Sequence, residues 1–180
     1  MLYGKVAEQE VYDGKHPTIP YFGNPQYKLA TEIEGVPVIG YLDSFDSENN
    51  KFIDYKSGIP KIDGTVRWSK FEVQKLDQLP FYSMMVKKIK EKVDPVCFLI
   101  WLHTELVPAK GLLTNGDKVK LTGEFEVFER RIFEWERKRM VEWVVKGAND
   151  ISLDYTNWLE QRAKLSALPD LGGRTGTLLT

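Results

Sequence analysis

Gly40-Tyr41-Leu42-Asp43-Ser44-Phe45-Asp46-Ser47-Glu48-Asn49-Asn50-Lys51-Phe52-Ile53-Asp54-Tyr55-Lys56 consists of two strand-forming runs around a polar turn. Asp46 to Asn50 supplies the turn chemistry, and the branched and aromatic residues on either side supply the β-preference. A hairpin symmetric about Glu48 and Asn49 sets Phe45 against Phe52. The same register carries Asp43 across from Asp54, with β-carbons about 5 Å apart on one face. Side chains alternate along a strand, so Lys56 joins Asp54 on that face while Ile53 and Tyr55 point the other way. Two carboxylates and one ammonium are thus expected to converge. Carboxylates this close repel unless a cation lies between them, and an oxygen-only ligand set suits magnesium or manganese. Such an ion polarises a phosphate and acidifies bound water, and Lys56 is placed to orient that water or to stabilise developing charge.

Upstream of this hairpin, Gln26 to Ile33 alternates like a strand, and Glu34-Gly35 marks a tight turn into a strand from Val36 to Phe45. With Lys51 to Lys56 this predicts a three-stranded meander. Pro17, Pro20, Gly23 and Pro25 impose a loop before it, and Tyr3 to Val11 forms a short helix before that. Downstream, Ser69-Lys70-Phe71-Glu72 is a capping-box pattern. It opens a helix whose apolar positions Phe71, Leu76, Leu79 and Met84 run towards Ile89, with a kink expected at Pro80. Val96 to Leu102 is a continuous apolar run, the mark of a strand covered on both faces. Lys118 to Val127 alternates as a further strand, Arg130 to Val145 is helical, and Trp158 to Leu165 suggests a last short helix. The order predicts an α/β domain spanning residues 1–170, a sheet layered by helices, with residues 171–180 as a flexible tail.

The 180 residues carry 25 basic and 26 acidic side chains, a net charge of -1, so no global positive field advertises a nucleic-acid binder. Any such surface must be local. Lys87, Lys88, Lys90 and Lys92, with Arg130, Arg131, Arg137, Lys138 and Arg139, form the basic clusters that could meet phosphates. Trp135 and Trp143 are expected in the core. One cysteine, Cys97, sits in the apolar run and reads as a buried, inert thiol, which excludes intrachain disulfides and cysteine metal clusters. His103 at the end of that run is expected to be hydrogen-bonded scaffold, and His16 lies in a loop. The first residues lack a signal-peptide apolar core and no apolar stretch matches a bilayer, so a reducing cytoplasm is the expected compartment.

Gly40-x-x-Asp43, Asp54-x-Lys56, Trp68 and Gln78-x-x-x-Tyr82, in that order and spacing, resemble the RecB-like branch of the PD-(D/E)XK nucleases. The resemblance covers roughly residues 36 to 85. It implies a restriction-endonuclease-like fold, a central mixed sheet flanked by helices, and magnesium- or manganese-dependent hydrolysis of DNA. Asp43 and Asp54 would be metal ligands and Lys56 the catalytic lysine, with Gln78 and Tyr82, four apart on one helix face, approaching the active site and the DNA strand. Gly4-x-x-x-Glu8 is similar to the family's upstream metal-site motif, with Glu8 as ligand, while Glu10 would face elsewhere. The four cysteines that hold an iron-sulfur cluster in some relatives are missing, so that cofactor is not expected. The implied activity is exonuclease-like, in recombination or DNA-end processing, and the small stand-alone domain suits a viral protein working in a host cytoplasm. A structure- or site-specific endonuclease, or an idle DNA-binding or assembly protein on the same fold, are the alternatives.

Overall fold

A computed structural model of the chain describes residues 2–58, 68–91, 94–107 and 118–166. A helix α1 (Leu2–Tyr12) leads through the proline-rich loop into a hairpin of β1 (Tyr27–Ile33) and β2 (Val36–Leu42). Glu34 and Gly35 both take positive φ, 48° and 82°, the geometry a two-residue hairpin turn requires. Next come β3 (Ser44–Asp46), β4 (Lys51–Gly58), α2 (Lys70–Lys75), α3 (Gln78–Lys90), β5 (Val96–Val107), β6 (Lys118–Arg130) and α4 (Glu134–Ser166). The main sheet has the order β3-β4-β5-β6, with β4 and β5 parallel and the outer pairs antiparallel. This is the mixed sheet flanked by helices that the sequence led us to expect.

Alternation along the central strands divides the core in two. Phe52, Cys97, Leu99 and Trp101 face α3 and the start of α4, packing with Leu79, Met85, Val86 and Met140. Ile53, Tyr55, Ile100 and Leu102 face the opposite way and pack with Ala7 and Val11 of α1. Both faces of β5 are therefore covered, which is why its apolar run is unbroken. Burial pushes the Cys97 thiol up to about 12, so it stays protonated and inert.

Four expectations require correction. The meander breaks at Asp43: β1 and β2 form a separate two-stranded sheet, and the chain bends before β3 joins β4. The cause is visible in the hydrogen bonds. The Asp43 carboxylate takes the Tyr55 N–H at 2.7 Å, while the backbone from Asp43 to Phe45 bonds Gln26 and Gly23 of the preceding loop. Pro80 makes no kink, because α2 has ended and α3 begins at Gln78. It stands in the first turn, where a backbone N–H has no helical partner to lose. The Ser69–Glu72 capping box does form, but it starts only the six-residue α2, and Phe71 is left 67% exposed.

The third correction concerns the last helix, which begins at Glu134 rather than Arg130 and continues through the expected gap to Ser166. Arg130 closes β6 instead and is 2% exposed, and Arg137 is 5% exposed. Both belong to an internal network rather than to a phosphate-binding surface. Last, Trp135 and Trp143 lie 61% and 65% exposed, because Glu136, Arg137, Met140 and Val144 form the buried stripe of α4. Lys92 and the expected tail at 171–180 lie outside the described residues.

Candidate active site

The hairpin register places Phe45 against Phe52 and Ser44 against Ile53. Asp43, one residue further, stands at the bend beside β4 and is held there from both sides: Oδ2 accepts from the Tyr55 N–H, and Oδ1 accepts from Gln26 Nε2 at 3.1 Å. Burial raises its pKa, and these donors together with the Lys56 charge oppose the rise.

Asp54 lies in mid-strand, 2% exposed, on the face of β4 that looks towards α3. Lys56, two residues on, folds back so that its Nζ stands 2.7 Å from Asp54 Oδ2. Asp54 Oδ2 is buried, with that ammonium beside it. Burial pushes the Asp54 pKa up to about 6, with the Lys56 charge lowering it and the Asp43 charge adding to the rise. Lys56 Nζ also donates to Gln78 Oε1 at 2.7 Å, and the Gln78 amide donates to the Tyr82 hydroxyl at 3.4 Å. Gln78 and Tyr82 sit on one face of α3, and burial raises the Tyr82 pKa. The ammonium is thus a bridge between β4 and the first turn of α3.

Glu8 approaches from α1. Its pKa is pushed up to about 7, first by burial and then by the charges of Asp43 and Asp54, with Lys56 opposing. Glu10 turns away, as its position on the helix requires: its carboxylate meets the Leu121 N–H at 3.4 Å and His16 Nε2 at 3.5 Å. Three acids therefore share one electrostatic site, with Lys56 at its centre and the Lys5 charge also acting on Glu8. Among the described residues, no three His, Cys, Asp or Glu side chains are drawn close enough to form a ready metal cage. The donor chemistry nonetheless suits a hard cation: carboxylate oxygens only, and mutually repelling.

Sequence reasoning missed one residue of this site. Gln26 holds Asp43, and its amide also meets the Tyr12 hydroxyl at 3.3 Å, which ties α1 to the bend. No spacing marks Gln26 in advance, since its position depends on the loop folding back onto Asp43. The role of Gly40 was partly readable. A β-carbon there would stand 3.0 Å from Tyr82 Cε1 and 3.2 Å from Met85 Sδ, so the glycine admits the Tyr82 ring. Phe52 meets that ring edge-on, with centroids 6.2 Å apart. His103 keeps to the scaffold, against the Trp101 ring at 4.3 Å and beside Glu124 at 3.3 Å.

No family model matches the chain, and no curated protein does. Among similar solved structures is the crystal structure of a "Putative exonuclease" from Eubacterium rectale, 14% identical, with a TM-score of 0.45. The similarity covers 98% of this chain, which spans 59% of the length of that one. A likeness this loose does not distinguish one activity from another. No helix among the described residues is long and apolar enough to cross a membrane.

Proposed function

We propose that the chain is a metal-dependent nuclease of the PD-(D/E)XK superfamily, in its RecB-like branch, which hydrolyses DNA phosphodiesters in an exonuclease-like manner. One observation carries the reading. The Lys56 ammonium bridges two separate motif pieces, Asp54 and Gln78, at 2.7 Å each, while Asp43 of a third piece is pinned to the backbone of the intervening residue, Tyr55.

Asp43 and Asp54 would hold a magnesium or manganese ion, with Glu8 as the third arm. Such an ion, when bound, supplies the positive charge that polarises a phosphodiester and makes hydrolysis feasible near neutral pH. The rest falls to the protein's own groups. The Tyr55 N–H and Gln26 fix the Asp43 carboxylate so that it need not reorganise. Lys56 offers a positive charge to phosphate oxygens or to the attacking water, and Gln78 holds that ammonium at the site. Lys88, Arg131 and Lys138, all exposed, remain as candidates for contacts along the DNA backbone.

The test is digestion of linear and circular DNA, each with magnesium and with chelator. Loss of linear substrate alone, only in the presence of the ion, is the expected result. Cleavage of the circle would move the assignment to the endonuclease alternative. No cleavage with any divalent ion, in protein that binds DNA, would make it an idle binding protein.

A further inference from the structure

The stripe that seats α4 on the core continues past the body of the protein. Val144 is buried and Val141 packs beside it. Beyond them Ala148, Ile151, Tyr155, Trp158 and Arg162 follow at alternating spacings of three and four, the heptad seam of a helix that pairs with another helix. Every residue from 149 to 162 is exposed. Ile151 is 71% exposed, Tyr155 60%, Trp158 49% and Leu159 44%. The aromatic pair is already stacked, ring centroids 5.9 Å apart, with the Arg162 guanidinium 5.2 Å from the Trp158 ring. Helices in proteins gain their stability mostly from tertiary packing, and this one leaves four turns of apolar seam in water.

We propose that this segment pairs antiparallel with the same segment of a second copy of the chain. Charge selects the occupant. Between Lys146 and Arg162 the acids Asp150, Asp154 and Glu160 outnumber the bases, so the face does not suit a polyphosphate chain. It does suit itself in reverse. In an antiparallel seam Tyr155 lies against Trp158 of the second copy, and Ile151 lies against Arg162 of the second copy. Asp150 and Asp154 then flank that guanidinium, and two-fold symmetry makes each contact twice. A parallel pairing would instead stack Arg162 on Arg162. Asp154 has no basic residue three or four positions away in its own helix, so no such intrahelical ion pair holds its carboxylate. The seam would bury on the order of 600 Å² per copy, within reach of the roughly 800 Å² per partner of a stable complex. This association does not depend on what the candidate active site does.

Sedimentation velocity of the full chain from 1 to about 100 µM tests it, the range being that expected for an interface of this size. The expected species is a dimer of the 20.8 kDa chain. Ile151→Glu, at an exposed position, should weaken it at least tenfold with the circular-dichroism spectrum unchanged. Asp154→Arg and Arg162→Asp should each weaken it about three- to tenfold, and the two together in one chain should restore it. A monomer at every concentration, or a dimer indifferent to Ile151→Glu, would overturn the proposal. Charge variants whose combination fails to restore association would overturn the antiparallel register.

Discussion

Arg130 and Asp54 are buried to the same depth, 2% exposed each, yet their surroundings differ in kind. The Arg130 guanidinium ends donate to the Val73 carbonyl at 2.8 Å, to the Leu76 carbonyl at 2.6 Å and to Glu136. Only its Nε lacks a partner. The second Glu136 oxygen accepts the Phe133 N–H at 2.8 Å. Arg137 beside it reaches the Ile132 carbonyl at 3.0 Å and Glu134 at 3.0 Å. Charges are matched there and nearly every polar atom is occupied. Around Asp54, three acids gather about Lys56, and two of them are pushed up to about 6 and 7. A network whose charges are matched holds the structure together, joining the end of α2 to β6 and α4. One that is left short of positive charge is prepared for something else to bind.

If that contrast is sound, removing one partner should cost stability at one cluster and activity at the other. Glu136→Ala should lower stability by about 3–5 kcal/mol, because it strands a buried guanidinium. The measure is urea unfolding, and a loss under 1 kcal/mol would make the cluster no more than decoration. Asp54→Asn and Lys56→Ala should each cut nuclease activity by roughly 10²–10³-fold, the usual cost of deleting one preorganised charged or hydrogen-bonding group. Asp54→Asn should also keep or raise the metal-free melting temperature, since the charged form of Asp54 is disfavoured in the fold. Manganese should rescue its residual activity before magnesium does, because it binds oxygen sites more tightly. Either variant cleaving at the parent rate in nuclease-free preparations would end the mechanism proposed for this cluster.

The hairpin register was readable because Phe45 and Phe52 share a side-chain period of two and the residues between them are turn-formers. The Ser69–Glu72 box was readable because both of its bonds are local. Asp43 shows where such reading stops. Its placement near Asp54 followed from the register, but the bend follows from a side chain capturing a neighbouring strand's N–H, which no periodicity records. Arg130 and Arg137 were assigned to the surface by charge class alone. Their acceptors include Val73 and Leu76, more than fifty positions away in sequence, so burial was invisible until the chain had folded. Trp135 and Trp143 failed for the complementary reason. Hydrophobicity picks the wrong stripe of α4 when the core side is partly built from a satisfied Glu-Arg network.

A smaller effect is expected at Gly40, where the site depends on fit rather than charge. Gly40→Ala puts a methyl group 3.0 Å from the Tyr82 ring, which Phe52 and Phe81 confine. The ring must give by a few tenths of an ångström, at an overpacking cost of about 1–2 kcal/mol. The shift carries the Tyr82 hydroxyl relative to Gln78, and through Gln78 it disturbs Lys56. Activity should therefore fall severalfold in protein that is still folded at the assay temperature. Unchanged melting and unchanged rate together would show that the glycine is not needed for this packing.

An effect of similar size, again read without reference to catalysis, is the pH dependence of stability in the absence of divalent ions. Glu8 has an ordinary carboxyl value of 4.5 when exposed and about 7 in the fold. A carboxyl with a raised native value holds its proton longer in the folded protein than in the unfolded chain. Its contribution to stability is thus complete below pH 4.5 and is lost as pH rises through 7. Asp54 adds a loss of the same sign, running from its ordinary value of 3.8 up to about 6. The metal-free protein should accordingly lose about 1–2 kcal/mol between pH 5.5 and 7.5, after allowance for the screening that half-buried Glu8 receives from solvent. Glu8→Gln should flatten the upper part of that decline, and Asp54→Asn the lower part. Magnesium should flatten all of it, because a cation among the three acids restores their ionised forms. Melting curves at several pH values in chelator decide the matter. A decline that persists unchanged in both variants would mean that the repulsion lies elsewhere, and the site around Lys56 would lose its claim to be short of positive charge.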